Sequence, residues 1–261
     1  MDIQRMDSHL KLWIYTNYDC NLTCSYCLSR SGPTTPRNAI SYPDVCRLVD
    51  QALDLNFDSI FFTGGEPFLL DEIYGMLEYS SRFISTVVLT NGLLLNGKRL
   101  EKLKTINNPN LIIQVSLDGA CADHHDPYRG EGNWEKTDVI IHDLIRNSFH
   151  VRLSTTITPI NSSFIDQLCA YHLEMGINEE DHVIRQLAKR GFSAEGMEVG
   201  YGCLSPEITV NRDGVFWHPL STDEDMLVTR EIFPLSKALN TVNDKLLELN
   251  SNQESSLKTV H

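Results

Sequence analysis

Cys20, Cys24 and Cys27 stand in one short run, Cys20-Asn-Leu-Thr-Cys24-Ser-Tyr-Cys27. Thiolates are soft ligands, and three so close together suit iron or zinc. A structural zinc site takes four protein ligands, usually as two pairs, and the chain has no second pair of this kind. The triplet therefore leaves a coordination position open, which suits chemistry more than scaffolding. The alternative is a zinc loop completed by a distant His or Cys. Four further motifs carry chemistry: Thr63-Gly64-Gly65-Glu66-Pro67, Thr90-Asn91-Gly92, Ser116-Leu117-Asp118-Gly119 and Thr158-Pro159-Ile160-Asn161. The double glycine lets backbone approach a ligand closely, and Glu66 can accept hydrogen bonds from an amine. His124-His125-Asp126 reads either as a metal cluster or as a loop that orients Arg129 or meets solvent.

The elements that must position these motifs alternate in type. Strands are predicted over 11–16, 59–62, 86–89, 111–117, 151–156 and 182–185. Helices are predicted over 42–55 with Ser41 as cap, 70–83, 98–105, 137–147, and 162–175 with Asn161 or Ser162 as cap and Gly176 as stop. Six strand–helix alternations imply a parallel sheet with right-handed crossovers, as an open two-sided sheet or a partial barrel. Strand C-termini in such sheets share one face, so the five motif loops should converge on one mouth. Residues 207–210 and 215–217 flank Asn211-Arg212-Asp213-Gly214 and read as a β-hairpin, and 234–249 as a last helix.

The 261 residues carry a formal net charge of −13, with 41% hydrophobic content. The acidic balance argues against a nucleic-acid partner. No apolar run reaches the roughly 20 residues needed to cross a bilayer, and the polar start is no signal peptide, so a cytoplasmic protein is expected. Seven cysteines, an odd number with three bunched, do not form a disulfide framework. Cys46, Cys121 and Cys169, each beside an apolar periodic segment, read as small buried hydrophobes.

The cysteine triplet, the aromatic Tyr26 before its last member and Gly64-Gly65-Glu66-Pro67 together resemble the radical S-adenosylmethionine superfamily. Ser116-Leu117-Asp118-Gly119, followed by His125-Asp126 and Arg129-Gly130, resembles the branch that modifies peptides and small molecules, often with a C-terminal SPASM-type domain. The similarity covers about residues 10–190. It implies an α/β partial (β/α)6 barrel over 10–190, followed by a hairpin-and-helix appendage over 191–249 and a fraying tail over 250–261. It further implies a [4Fe-4S] cluster on Cys20, Cys24 and Cys27 that cleaves S-adenosylmethionine to a 5′-deoxyadenosyl radical, fed by a flavodoxin or ferredoxin. By the same resemblance Glu66, with Gly64, Gly65 and Pro67, meets the methionyl amine, and Arg129 its carboxylate. Ser116 lies near the ribose, Tyr26 and the backbone near Ile157 meet adenine, and Asn91 and Asp118 belong to the cofactor site.

The chain departs from that branch after the barrel. Only Cys203 lies beyond the sixth strand, and His218-Pro219-Leu220 stands where a cysteine is expected after the hairpin, so one cluster is expected. Cys203 and His218 are candidate catalytic residues. A thiol S–H is weak enough to return a hydrogen atom to a substrate radical, and a nearby His can move a proton; otherwise they are a buried Cys and a hairpin His. The expected activity is hydrogen abstraction from a peptide or small metabolite. The alternatives are a nucleoside-, RNA- or glycyl-radical-directed enzyme of the same superfamily, and a non-catalytic iron–sulfur or zinc protein.

Overall fold

Leu12, Ile14, Ile60, Phe62, Val88, Ile113, Val115 and Leu153 belong to one large apolar cluster, whereas Trp13, Phe61, Val87 and Ile112 form a second, small one. Neighbours along a strand point to opposite faces. The two clusters therefore mark the two sides of one sheet, and helices cover only the first. The computed structural model describes residues 10–199 and 207–244. Six strands run parallel and pair in sequence order: β1 (Lys11–Tyr15), β2 (Ser59–Thr63), β3 (Ser85–Thr90), β4 (Leu111–Ser116), β5 (His150–Ile157) and β6 (His182–Gln186). The sheet does not close. Coverage on one face favours the partial barrel over the two-sided sheet.

The connecting helices are α1 (Tyr42–Asp54), α2 (Ile73–Ser81), α3 (Gly97–Lys104), α4 (Ala122–Arg129), α5 (Asn133–Arg146) and α6 (Ile165–Glu174). In α1 the Ser41 hydroxyl accepts from Asp44 N, Pro43 sits in the first turn, and Val45, Leu48, Val49 and Ala52 are buried at helical spacing. The helix α4 was not foreseen, because its only strongly apolar side chain is Tyr128 and Pro127 interrupts its pattern. Asn161 is no side-chain cap for α6. Its oxygen accepts from Thr158 N, and its amide donates to the Asp118 and Thr156 carbonyls, tying the turns after β4 and β5 together.

The region beyond β6 belongs to the same sheet. β7 (Thr209–Asn211) pairs in parallel with β1, and β8 (Gly214–Phe216) and β9 (Leu227–Thr229) add antiparallel strands outside it. The hairpin turn falls at Asn211–Gly214, as its Asp-Gly chemistry requires, with the Asn211 side chain accepting from Asp213 N and Gly214 N. Residues 235–244 are helical, and the remainder of the last predicted helix lies outside the described residues. Among the described residues, no helix is long and apolar enough to cross a membrane.

Candidate active site

The loop after β1 brings Cys20, Cys24 and Cys27 to the C-terminal mouth of the sheet, where all three line one cavity of about 660 Å³. The loop is held from outside: Ser25 N donates to Tyr128 O at the end of α4, and Phe192 N donates to Cys27 O. Backbone N–H groups point at two of the sulfurs, Leu22 N at Cys20 Sγ and Ser31 N at Cys27 Sγ, both at 3.4 Å. The Asn91 amide adds a contact to Cys20 Sγ and bonds Asn21. Burial pushes the Cys20 thiol up to about 12 and raises that of Cys24, so a metal must displace their protons on binding. Three sulfur donors at one mouth, with N–H groups aimed at two of them, fit a cluster whose iron atoms each take one cysteine.

The turn after β2 presses on the turn after β1. Gly64 has φ +135°, and a Cβ there would lie 2.3 Å from Asn17 O; at Gly65 it would lie 2.1 Å from Asp19 O. Only glycine allows both the conformation and the approach. Gly65 N donates to Asn17 O, and Glu66 N to Asp19 O, while the Asn17 amide donates to Glu66 O. The Glu66 side chain turns inward. Its carboxylate accepts from Thr90 Oγ1 (2.8 Å), Asn91 N (2.9 Å) and Phe68 N (3.1 Å). Burial raises its pKa to about 7 despite these bonds. Three protein donors leave one lone pair of the carboxylate for a ligand. Among the described residues, the Gly65 carbonyl accepts no hydrogen bond, and the residue lines the cavity.

Behind the cavity, Asp118 gathers the third group. One oxygen accepts from Arg129 Nε (2.6 Å) and from the Tyr26 hydroxyl, and the other from Thr156 N (2.9 Å). Arg129 is the last residue of α4, and its guanidinium sits 5.4 Å from the Tyr26 ring centroid. Burial works against its charge, but Asp118 more than offsets this and holds its pKa well above the ordinary value. Arg129 spends only Nε on Asp118; among the described residues its two terminal nitrogens bond no protein group, and the residue lines the cavity. Asp118 lies outside the cavity lining and is buried, and its bonds hold Arg129 and Tyr26 in place.

The cavity thus unites Cys20, Cys24, Cys27, Tyr26, Gly64, Gly65, Glu66, Asn91, Ser116, Arg129 and His218, while Pro67, Asp118 and Ile157 lie outside its lining. Burial, aided by Arg185 and Lys11 and opposed by Glu207, lowers His218 to about 4. It is therefore uncharged near neutral pH, and because its Nδ1 accepts from Leu220 N, its other ring nitrogen carries the N–H. Cys203 lies outside the described residues. The three side chains of His124-His125-Asp126 diverge: His124 stacks on Phe164, His125 Nδ1 accepts from Asp118 N, and Asp126 accepts from Gly132 and Trp134 N–H at the start of α5. They form no metal site.

Sequence reasoning missed the deeper wall, where Trp13, Phe61, Gln114, Arg152, Arg185 and Glu207 face the same cavity. Gln114 is fully buried with neither amide atom partnered among the described residues. Arg185 rests 5.9 Å from the Trp13 ring centroid. For Gln114 the available signal was a polar residue inside the otherwise apolar β4, placed inward by alternation.

A sequence profile described as the Radical SAM superfamily matches residues 14–166. Among curated proteins, the chain is 30% identical to the AdoMet-dependent heme synthase of Methanosarcina barkeri (strain Fusaro / DSM 804) over 159 residues, 60% of this chain and 45% of that one. It is 26% identical to the mycofactocin maturase MftC of Mycolicibacterium smegmatis over 173 residues, 66% of this chain and 43% of that one. The fold resembles Streptococcus suis SuiB bound to precursor peptide SuiA, with TM-score 0.60 and 21% identity over 74% of this chain and 43% of that one. The chain spans less than half the length of these relatives.

Proposed function

The chain belongs to the radical SAM superfamily, whose enzymes use a [4Fe-4S] cluster and S-adenosylmethionine, and from that we propose that Cys20, Cys24 and Cys27 hold the cluster at the mouth of the partial barrel. When bound, these cofactors supply one-electron cleavage of the sulfonium and a carbon radical that takes a hydrogen atom from substrate. The chain's own residues bind and orient. The Gly65 carbonyl and the open lone pair of Glu66 accept the methionyl amine. The two terminal nitrogens of Arg129 pair with its carboxylate, held in place by Asp118. Ser116 and Thr156 flank the nucleoside, and the Tyr26 ring, fixed through its hydroxyl, closes that side. A flavodoxin or ferredoxin is the electron donor in this reading.

The substrate occupies the deeper wall, within reach of His218, Arg185 and Gln114. The observation that carries the reading is one cavity in which three thiols, an open Gly65 carbonyl and two unused Arg129 nitrogens face a buried, unpartnered amide. A bare electron carrier has no use for the last three. A peptide or small metabolite suits a concave site of this volume better than a nucleic acid does, and relatives named as a heme synthase and a maturase lie on the same side. Anaerobic reconstitution is expected to give about four irons per chain, the stoichiometry of one such cluster, and essentially none in the Cys20→Ala/Cys24→Ala/Cys27→Ala variant. Arg129→Lys should keep the iron and weaken S-adenosylmethionine binding in an equilibrium titration, since an ammonium cannot replace the planar fork. Iron retained by the triple variant, or unchanged affinity in Arg129→Lys, contradicts the assignment.

A further inference from the structure

On the helix-covered face of the sheet, away from the cavity, Cys169 and His172 of α6 meet His182 at the start of β6. Their ligating atoms all lie within 4.8 Å of one another, the only such group of three among the described residues. Cys169 Sγ is 3.9 Å from His182 Nδ1, and the two imidazoles stand edge to face with centroids 4.4 Å apart. His172 is fully buried.

The hydrogen bonds around the two rings settle where their protons sit. Thr155 Oγ1 donates its single proton to the Leu117 carbonyl at 2.6 Å, so toward His182 Nε2, 2.7 Å away, it can only accept. Nε2 therefore carries the proton, and Nδ1 presents a lone pair. His172 Nδ1 faces the Ile177 carbonyl at 3.2 Å and must donate to it, so its Nε2 presents a lone pair as well. A lone pair of His182 thus faces the Cys169 sulfur, the His172 ring with its own free lone pair stands 4.4 Å away, and the thiol supplies the one proton among them. Like electron pairs brought together in a half-buried place repel unless a cation or a bridging donor lies between them. Each ring also gives its remote N–H to an oxygen acceptor, the arrangement that orients histidine ligands on metals.

We propose that Cys169, His172 and His182 bind a divalent cation of zinc type, independently of the cysteine loop. One thiolate and two neutral imidazoles are the donor set zinc favours, and the fourth position falls to water. Binding releases the Cys169 thiol proton to solvent and involves no electron transfer. The ion would clamp α6 to β6, the end strand of the sheet, which among the described residues has a strand neighbour only in β5. Val183 and Arg185 of β6 line the cavity, so the clamp would hold that wall.

The test uses the full chain after cluster reconstitution, titrated with zinc and then with cobalt(II). One zinc per chain should bind tightly, persist in the Cys20→Ala/Cys24→Ala/Cys27→Ala variant, and disappear in His172→Ala/His182→Ala. Cobalt should give a thiolate charge-transfer band that Cys169→Ser loses. Thr155→Val keeps all three ligands but removes the acceptor for His182, and should weaken zinc by roughly 10–100-fold, the usual effect of losing such a partner. Circular dichroism on each variant separates loss of the site from loss of the fold. Folded wild-type chain with no tight zinc, or zinc retained by the double histidine variant, overturns the proposal.

Discussion

Asp118 accepts from Tyr26, Arg129 and Thr156, and its own N–H is bonded to His125. Such a buried network is stable only while every member keeps its proton count. Burial, reinforced by Arg129, lowers His125 to about 4 from 6.5. The unfolded chain therefore takes up a proton at His125 at a higher pH than the folded one. Its contribution to stability is complete above about 6.5 and is lost as pH falls toward 4. Glu66 acts in the opposite sense: raised from 4.5 to about 7, it favours the folded state at low pH and loses that contribution as pH rises through this range. His125→Asn keeps an acceptor for Asp118 N and removes the titration. In urea melts of the cluster-free chain, it should reduce the stability lost between pH 7 and 4.5, by at most roughly 3 kcal/mol, the free-energy equivalent of a shift of this size. An unchanged pH slope would dismiss this role. At this scale the sequence reveals Arg129 and the cysteines, whose types announce their chemistry. It does not reveal that Asp118 bonds Arg129 and Tyr26, because an Asp-Gly pair does not tell which way the carboxylate faces.

The turns after β1 and β2 act as one element, since neither can be built without the other. A methyl group on Gly65 would overlap the Asp19 carbonyl, and one on Gly64 the Asn17 carbonyl. Gly97, at φ +49° with nothing near it, isolates the cost of the backbone conformation alone, about 1 kcal/mol. Gly65→Ala is expected to lose several times as much in denaturant midpoint as Gly97→Ala, and to impair cluster assembly, which Gly97→Ala leaves intact. Equal losses in the two variants would mean that the close approach is not required. The order of strands and helices was legible because apolar periodicity sets it locally. The helix α4 was not, with Pro127 and two histidines in its eight residues. Nor was the pairing of β7 with β1, because contacts between residues some 200 apart leave no local trace, nor the strand β9, whose three residues are too few to show a period and join β8 through an irregular register.

Across the whole molecule, charge is divided unevenly. The chain carries −13, yet Lys11, Arg129, Arg152 and Arg185 line the cavity together with only two carboxylates, Glu66 and Glu207. Glu207 is engaged with Lys11 and the Trp13 indole. The helix-covered face supplies the core, and the bare face supplies the site. This division follows from inward positions along β4, β5 and β6 that carry Gln114, Ser116, Arg152, Thr156 and Arg185 where a packed barrel would carry aliphatic side chains. In the function proposed above, this cavity holds cluster and S-adenosylmethionine together. The most direct measurement reduces the reconstituted chain with dithionite, adds S-adenosylmethionine, and quantifies 5′-deoxyadenosine. The wild-type chain should form it, Arg129→Lys should form less at subsaturating S-adenosylmethionine, and the triple cysteine variant should form none. A folded chain with about four irons that binds S-adenosylmethionine but yields no 5′-deoxyadenosine would contradict the account.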